Sequence, residues 1–475
     1  MKKILLALIF LFSTVKIFGQ QFSQYNTGTL YDSFENPSQK AFITDSSKQY
    51  AFNFLVPNFG ANLFVTGDAQ ASLKSRAFAN KYDNSALLIG QGKYNHFNGD
   101  LNAYLIMFKF FSSLNGDVEL GFSAQVKMEL KGNFSDETAA LFDGTQVFKN
   151  SYYTDIFNSN YSFQSYHQFG FTYKEKINKQ FTLGAKLSLL TGIQYEEMNI
   201  KHSEVQFNQP DAATVALSGT YFSNYIPGHL TPRDYLPTLR NPGAAITLGG
   251  TYRTEDGFII QGNVKDLGFI HWSSRSFAYP FNGVQQIQGL STTNREKNIY
   301  NAAYKIITTN GEKGSFTTPI DGRGELSVHH EYFIDDNKDF KYSPTLIASK
   351  ELFYPGFTGA LVNPVIYKNK YSLTLTTTYD DMKLFNLGLQ FMYKTPDLDF
   401  FIGSDKVTQS TSLLSAAANK TGPYQNSSSS GGSFFMGFAL KIGPVIEHPM
   451  NASSIPTGEK GFLGRLWGRL FKTND

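Results

Sequence analysis

The chain contains no cysteine. That excludes a disulfide framework, thiolate metal sites and a lipid anchor carried on a cysteine at a cleavage site. Beyond the first twenty residues, no apolar run approaches the roughly 18 residues that a transmembrane helix needs. Charge is also scarce: 17% of residues are Asp, Glu, Lys or Arg, and the two signs are well mixed to a net +3. No broad basic field exists for nucleic acid, which is therefore not an expected partner. Tryptophan is nearly absent, with 2 residues, but there are 44 Phe and 27 Tyr. Aromatic residues in that quantity suit β-strands, and suit the girdles where a β-barrel meets the membrane surface. A mean hydropathy of −0.27 does not argue against membrane strands, because their alternation hides from hydropathy averaging.

The first segment is ordered like a secretory signal. Lys2 and Lys3 form a basic start, Ile4 to Phe12 form an apolar stretch, and Ile17-Phe18-Gly19 offers a small residue before a cut. The expectation is a signal peptide over 1–19 and an exported chain beginning at Gln20.

Alternation of apolar and polar residues runs through most of the chain beyond that segment. Leu120, Phe122, Ala124, Val126, Met128 and Leu130 interleave with Glu119, Gly121, Ser123, Gln125, Lys127 and Glu129. Phe181, Leu183, Ala185, Leu187 and Leu189 interleave with Thr182, Gly184, Lys186 and Ser188, and similar runs lie at 371–376, 385–393 and 434–442. Successive strand side chains point to opposite faces, so each run has one apolar and one polar face. A soluble sandwich and a membrane barrel share that pattern. Several runs reach about ten residues or more, the length a tilted strand needs to cross a bilayer, against about five or six in soluble sheets.

Strands are expected near 49–66, 100–112, 117–131, 162–175, 180–197, 243–254, 257–271, 323–334, 341–352, 357–367, 371–380, 384–394, 397–405 and 432–443. With a periplasmic N-terminus, one side has short connections, such as Glu255-Asp256 and Thr395-Pro396. The other side takes all the long ones, at 67–99, 132–161, 198–242, 272–322 and 406–431. Short turns opposite long loops are the outer-membrane pattern. The resulting fold class is all-β: a closed antiparallel transmembrane β-barrel of about fourteen strands with long extracellular loops, in the outer membrane, both termini periplasmic. Segment 198–242 has room for a further hairpin.

Three local features refine this plan. The run at 257–271 breaks phase, with Phe258, Ile260 and Val264 on one face and Leu267 and Phe269 on the other; an extra residue at Lys265-Asp266 restores register, so a β-bulge is expected there. Residues 20–48, containing Asn36-Pro37-Ser38, precede the barrel at 49–445 and form either a hatch in its mouth or a leader along its rim. In the tail, 446–475, Phe462, Leu463, Leu466, Trp467, Leu470 and Phe471 recur at helical spacing among Lys460, Arg465, Arg469 and Lys472. That is an amphipathic basic helix, for which three readings stand: an interfacial helix on outer-membrane lipid, a cap on the barrel floor, or a docking element for another outer-membrane or periplasmic protein.

Candidate chemistry is thin. His329 and His330 are neighbours on a strand, face opposite sides and cannot share a metal ion. Asp335-Asp336-Asn337-Lys338-Asp339 resembles a calcium loop but has Phe340 at the sixth place and Leu346 at the twelfth, so it reads as a turn. No nucleophile elbow, P-loop or dinucleotide fingerprint is present. No enzyme activity, cofactor or metal is expected. The candidate site is the lumen. Lys127, Glu129, Lys186 and Lys441 lie on polar faces and should point inward, since Lys on a lipid face costs about 2–4 kcal/mol near mid-depth. There they line a solute path or pair with each other in a filled barrel.

Asn241-Pro242-Gly243-Ala244-Ala245, Leu248-Gly249-Gly250-Thr251-Tyr252-Arg253 and Asp266-Leu267-Gly268-Phe269-Ile270-His271-Trp272, with Phe22-Ser23-Gln24-Tyr25 and Asn36-Pro37, resemble a family of Bacteroidota outer-membrane barrels of unknown function. The resemblance implies a barrel similar in plan to the long-chain fatty-acid transporter type, with fourteen strands and an N-terminal hatch. Ser38 stands where that type usually has a small alanine. The same phylum uses related barrels as accessories of gliding and type IX secretion machinery. Two functions are implied: a conduit for small or hydrophobic solutes, or a non-transporting structural or interaction partner of a surface or secretion machinery.

Overall fold

The structure is a computed structural model describing residues 27–42, 47–112, 118–209, 211–226, 230–309, 311–354, 356–380, 384–419, 429–446 and 461–471. The expected signal peptide, the start of the leader and most of the tail lie outside the described residues.

Fourteen strands form the wall: β1 (Lys48–Thr66), β2 (Tyr94–Ser112), β3 (Val118–Ser135), β4 (Asn160–Lys176), β5 (Phe181–Gln209), β6 (Pro242–Arg253), β7 (Ile259–Trp272), β8 (Arg323–His329), β9 (Thr345–Glu351), β10 (Phe357–Tyr367), β11 (Tyr371–Asp380), β12 (Phe385–Lys394), β13 (Leu398–Ser404) and β14 (Ser429–Val445). Each pairs antiparallel with the next, and β14 pairs with β1, so the sheet closes. No helix among the described residues is long and apolar enough to cross a membrane; strands are the crossing elements here.

The alternation becomes an inside and an outside. On β5, Leu187 is 60% exposed while its neighbour Lys186 is fully buried. Phe122, Phe171, Leu326, Leu346, Leu373, Phe385, Phe434 and Ile442 are likewise exposed apolar side chains on the outer surface. A soluble protein rarely shows so extensive an apolar belt, whereas a lipid-facing wall requires one. At the short-turn rim the exposed rings of Tyr252, Phe258, Tyr332, Phe340 and Tyr371 make an aromatic girdle. His330 belongs to it, with ring centroids 4.7 Å from Phe258 and 4.4 Å from Tyr332, while His329 is buried on the other face. The Asp335–Asp339 stretch is a turn: the Asp335 carboxylate accepts the backbone N–H groups of Asp339 and Phe340 at 3.1 and 2.7 Å.

Among the differences from the expected strands, the extension of β5 has a physical cause. β5 continues to Gln209 rather than ending near 197. Its first part pairs with β6 and its second with a strand at Ala212–Ser223, which pairs in turn with Phe277–Gln288. This projecting sheet buries Val205, Val215, Leu217 and Phe281 against Ile299, Ala302 and Ile306 of a helix at Arg295–Thr308. Having its own core, it has no lipid face, and so lacks the pattern of a membrane strand. The expected strand at 323–334 stops at His329 and resumes as the short Tyr332–Phe333 pair with Phe340–Tyr342.

Candidate functional site in the barrel lumen

Residues 27–42 lie inside the barrel. A one-and-a-half-turn helix, α1 (Leu30–Glu35), is buried at every residue, and its N-terminus is capped by the Thr29 hydroxyl, which accepts the Asp32 N–H at 3.3 Å. Asp32 turns back on the chain and accepts from the Thr27 and Gly28 N–H groups at 2.8 and 3.0 Å. These bonds are all local to the segment.

The wall it meets has two characters. On one side, inward Ala51, Met107, Phe111, Ile347, Val362, Met392, Phe401, Phe435 and Ala439 form an apolar cluster with Leu30, Tyr31 and Phe34. Tyr31 packs edge-on against Tyr104 and Phe401, at centroid distances of 5.3 and 5.8 Å. On the other side, β3 to β8 present charge. Glu35 pairs with Lys265 and accepts from Asn102 Nδ2 at 3.0 Å and the Tyr104 hydroxyl at 2.6 Å. Its backbone carbonyl accepts from Asn263 at 3.2 Å. The Ser33 carbonyl accepts from Lys109, the Ser38 hydroxyl lies 2.8 Å from that of Thr251, Gln39 donates to Gln261 at 3.0 Å, and the Ala41 N–H donates to Glu119 at 3.2 Å. Across the lumen, Lys394 donates to the Thr27 carbonyl at 3.0 Å.

Glycine makes the approach possible at two places. A Cβ on Gly184 would sit 2.2 Å from the Pro37 carbonyl, and one on Gly249 would sit 2.3 Å from Asn36 Oδ1. The Asn-Pro-Ser turn rests against bare strand backbone.

Lys265 and Asp266 owe their positions to a register shift. Ile246 pairs with Leu267 but Leu248 with Val264, so two residues of β7 face the single Thr247, and Asp266 takes φ +50°. Before the shift the exposed residue is Val264; after it, Leu267 and Phe269. The consequence is two consecutive inward side chains. Lys265 reaches Glu35 of the N-terminal segment, while Asp266 pairs with Lys127 and with Lys186, the latter at 3.4 Å, and accepts from Gln168 at 2.8 Å. Three lysines thus surround two carboxylates. Glu129 accepts from the Tyr166 hydroxyl at 3.2 Å, and Lys441 pairs with Asp399 at 2.8 Å on the far wall. A further set joins Asp321 to Lys131 at 3.2 Å and to Arg323 at 2.9 Å, and Glu351 to the same two cations at 2.5 and 3.7 Å. All four lumen candidates read from the sequence point inward and are partnered. The sequence pattern did not reveal Glu35, Lys109, Glu119 or the apolar half of the inner wall. Glu119 stood on a polar strand face and could have been found; Glu35 stood in a segment without periodicity.

Groups of three or more His, Cys, Asp or Glu that could hold a metal ion are absent among the described residues.

Among solved structures, the chain is similar to the toluene transporter TodX of P. putida (10% identity, TM-score 0.39, 86% of this chain and 93% of that one). It is also similar to a FadL homologue of Pseudomonas aeruginosa (11%, 0.40, 87% and 94%) and to the toluene transporter TbuX of Ralstonia pickettii (10%, 0.39, 87% and 94%). No curated protein matches. A family model described as "Family of unknown function (DUF5723)" matches residues 41–405, the greater part of the chain, and the protein belongs to that family.

Proposed function

We propose that this protein is a non-enzymatic outer-membrane conduit for small solutes, held closed at rest by its own N-terminal hatch. One observation carries the reading: the wall closes through β1 and β14 without any help from residues 27–42, which contribute no strand and fill the interior instead. A segment that fills a complete barrel acts as a stopper. The two-sided lumen, apolar toward β13 and β14 and charged toward β3 to β8, suits small solutes with both an apolar and a polar end. The short-turn rim faces the periplasm in this reading, and both termini lie there.

Planar-bilayer conductance tests it. The full-length protein should be mostly silent, and deletion of residues 21–42 should produce frequent openings. Silence of the deletion variant, in a barrel that still shows heat-modifiable gel migration, sinks the conduit. That outcome would favour the second reading, an interaction protein that uses the sheet projecting from β5 and its covering helix as a platform.

A further inference from the structure

The C-terminal helix, α2 (Phe462–Phe471), sits on the outer side of the wall at the short-turn rim. The parity of β4 and β5 establishes the side. On β4, Thr172 and Lys174 are buried inward and Phe171 is exposed outward, so Tyr173 and Glu175 share the outer face. Glu175 is nonetheless only 2% exposed, because the start of α2 covers it. Its carboxylate accepts the Leu463 and Gly464 N–H groups, both at 2.8 Å, and the Tyr173 hydroxyl donates to it at 2.7 Å. The Phe462 N–H donates to the Tyr173 hydroxyl at 3.1 Å. A carboxylate on a lipid-side surface would be costly alone; helix N–H groups that lack intrahelical partners satisfy it. Gly461 permits the approach, since a Cβ there would lie 2.6 Å from the carboxylate carbon. One turn later, Trp467 packs on Phe181, on the same outer parity as Leu187, with ring centroids 5.0 Å apart. A helix on the outer wall is not a floor cap.

Phe462 and Leu466, one turn apart, remain exposed at 63% and 43%, and Arg465 is exposed beside them. The apolar pair continues the belt of Phe171 and Leu187, whose solvent is lipid. We propose that α2 is an interfacial anchor: Phe462, Leu466 and Trp467 lie in the leaflet adjoining the short-turn rim, and Arg465 engages anionic phospholipid headgroups. The occupant is the leaflet itself, by continuity with the lipid-facing belt and by charge complementarity. The inference rests on the barrel's insertion in a membrane, not on its conducting anything.

Tryptophan fluorescence provides the test, because the only other tryptophan, Trp272, is fully buried. The full-length protein is reconstituted in phosphatidylcholine vesicles containing phosphatidylglycerol, and flotation with the vesicles first establishes insertion. The difference in emission between wild type and Trp467→Phe isolates Trp467 without touching Trp272. Bromine near the headgroup end of the acyl chains should quench most of that difference emission, and aqueous iodide little of it. Quenching by iodide with no effect of bromine would overturn the anchor. Brominated phosphatidylglycerol should quench more than brominated phosphatidylcholine at equal mole fraction, and Arg465→Gln should reduce that excess. Equal quenching by the two lipids in the wild type would overturn the anionic preference.

Discussion

If the proposed conduit reading holds, replacing Glu35 with alanine should convert a silent barrel into a leaky one. In the closed state three buried lysines, Lys127, Lys186 and Lys265, face Asp266 and Glu35. Glu35→Ala leaves three cations against one carboxylate and removes acceptors for Asn102 and Tyr104. Breaking one side of a buried ion pair costs about 3–5 kcal/mol. The cost falls on the closed state, because only there is Lys265 sealed from water by the hatch. At about 1.4 kcal/mol per decade, the open-to-closed ratio should rise by roughly 140- to 4000-fold. Leu30, Tyr31 and Phe34 keep their apolar contacts, so the hatch should reseal and openings should come in bursts. Single-channel recording measures this, with heat-modifiable migration as the check on folding. Glu35→Gln combined with Lys265→Met removes both charges and should return the channel most of the way to silence, since neutral groups of similar size leave no orphaned charge. An open probability unchanged by Glu35→Ala, despite a lowered unfolding temperature, would contradict this coupling. So would a double variant that leaks as much as the single one.

Gly249→Val should also release the hatch, by steric contact with Asn36, whereas Gly262→Val, at a position where an added Cβ meets nothing within 4 Å, should leave conductance unchanged. Asp266→Asn should keep the bulge, because asparagine tolerates the left-handed backbone, but should orphan Lys127 and Lys186. A drop of about 3–5 kcal/mol in denaturant stability is expected, and an unchanged midpoint would count against it. Among the loops, Arg76 and the Tyr82 hydroxyl both bond Glu296, at 2.6 Å each. Burial works to raise the Glu296 carboxyl, but those two bonds outweigh it and hold it below its ordinary value. A depressed carboxylate stabilises above its ordinary pKa of about 4.3 and loses that contribution as pH falls through the lower folded value. Protection from hydrogen exchange, taken relative to the intrinsic rate at each pH, should therefore be high at neutral pH around Arg76 and Glu296 and fall below about pH 4; protection that grows on acidification would contradict the assignment.

Membrane strands were legible because lipid imposes a period of two on the outer face whatever the inside does. Leu187 and Lys186 show it plainly, and the phase break at Lys265-Asp266 is visible for the same reason: a slipped residue moves every later apolar side chain to the wrong parity. Where both faces are apolar the signal fades. β13 and β14 turn Ile402, Phe434 and Leu440 outward and bury Phe401, Phe435 and Ala439 beneath residues 27–42, so the alternation at 434–442 rests on Gly437 and Lys441. The hatch was less legible still. Its helix has six residues, too few to display periodicity, and the partners of Glu35 lie 67 residues away at Asn102 and 228 away at Asn263. Nothing local specifies such contacts. The second part of β5 was hidden for a third reason: beyond the bilayer, polar side chains such as His202 and Glu204 face water, and no lipid face marks the strand.

The placement of the bulge couples the wall to the hatch. A regular strand through 265 and 266 would send one of the two side chains into lipid, leaving either Glu35 without Lys265 or Lys127 and Lys186 without Asp266. Either arrangement leaves buried charge unpaired, at a cost of several kcal/mol. The inserted residue lets one strand serve the wall and the stopper together: Asp266 neutralises the lysines of β3 and β5, and Lys265 holds the hatch. If that is its purpose, deleting Asp266 while substituting Lys127→Met and Lys186→Met should give a regular, stable wall that still binds its hatch through Lys265. Deleting Asp266 alone should leave those two lysines unpaired and lower stability by about 3–5 kcal/mol, as Asp266→Asn does. A single deletion as stable as the wild type would show that the bulge is an accident of strand curvature rather than the device that couples barrel to hatch.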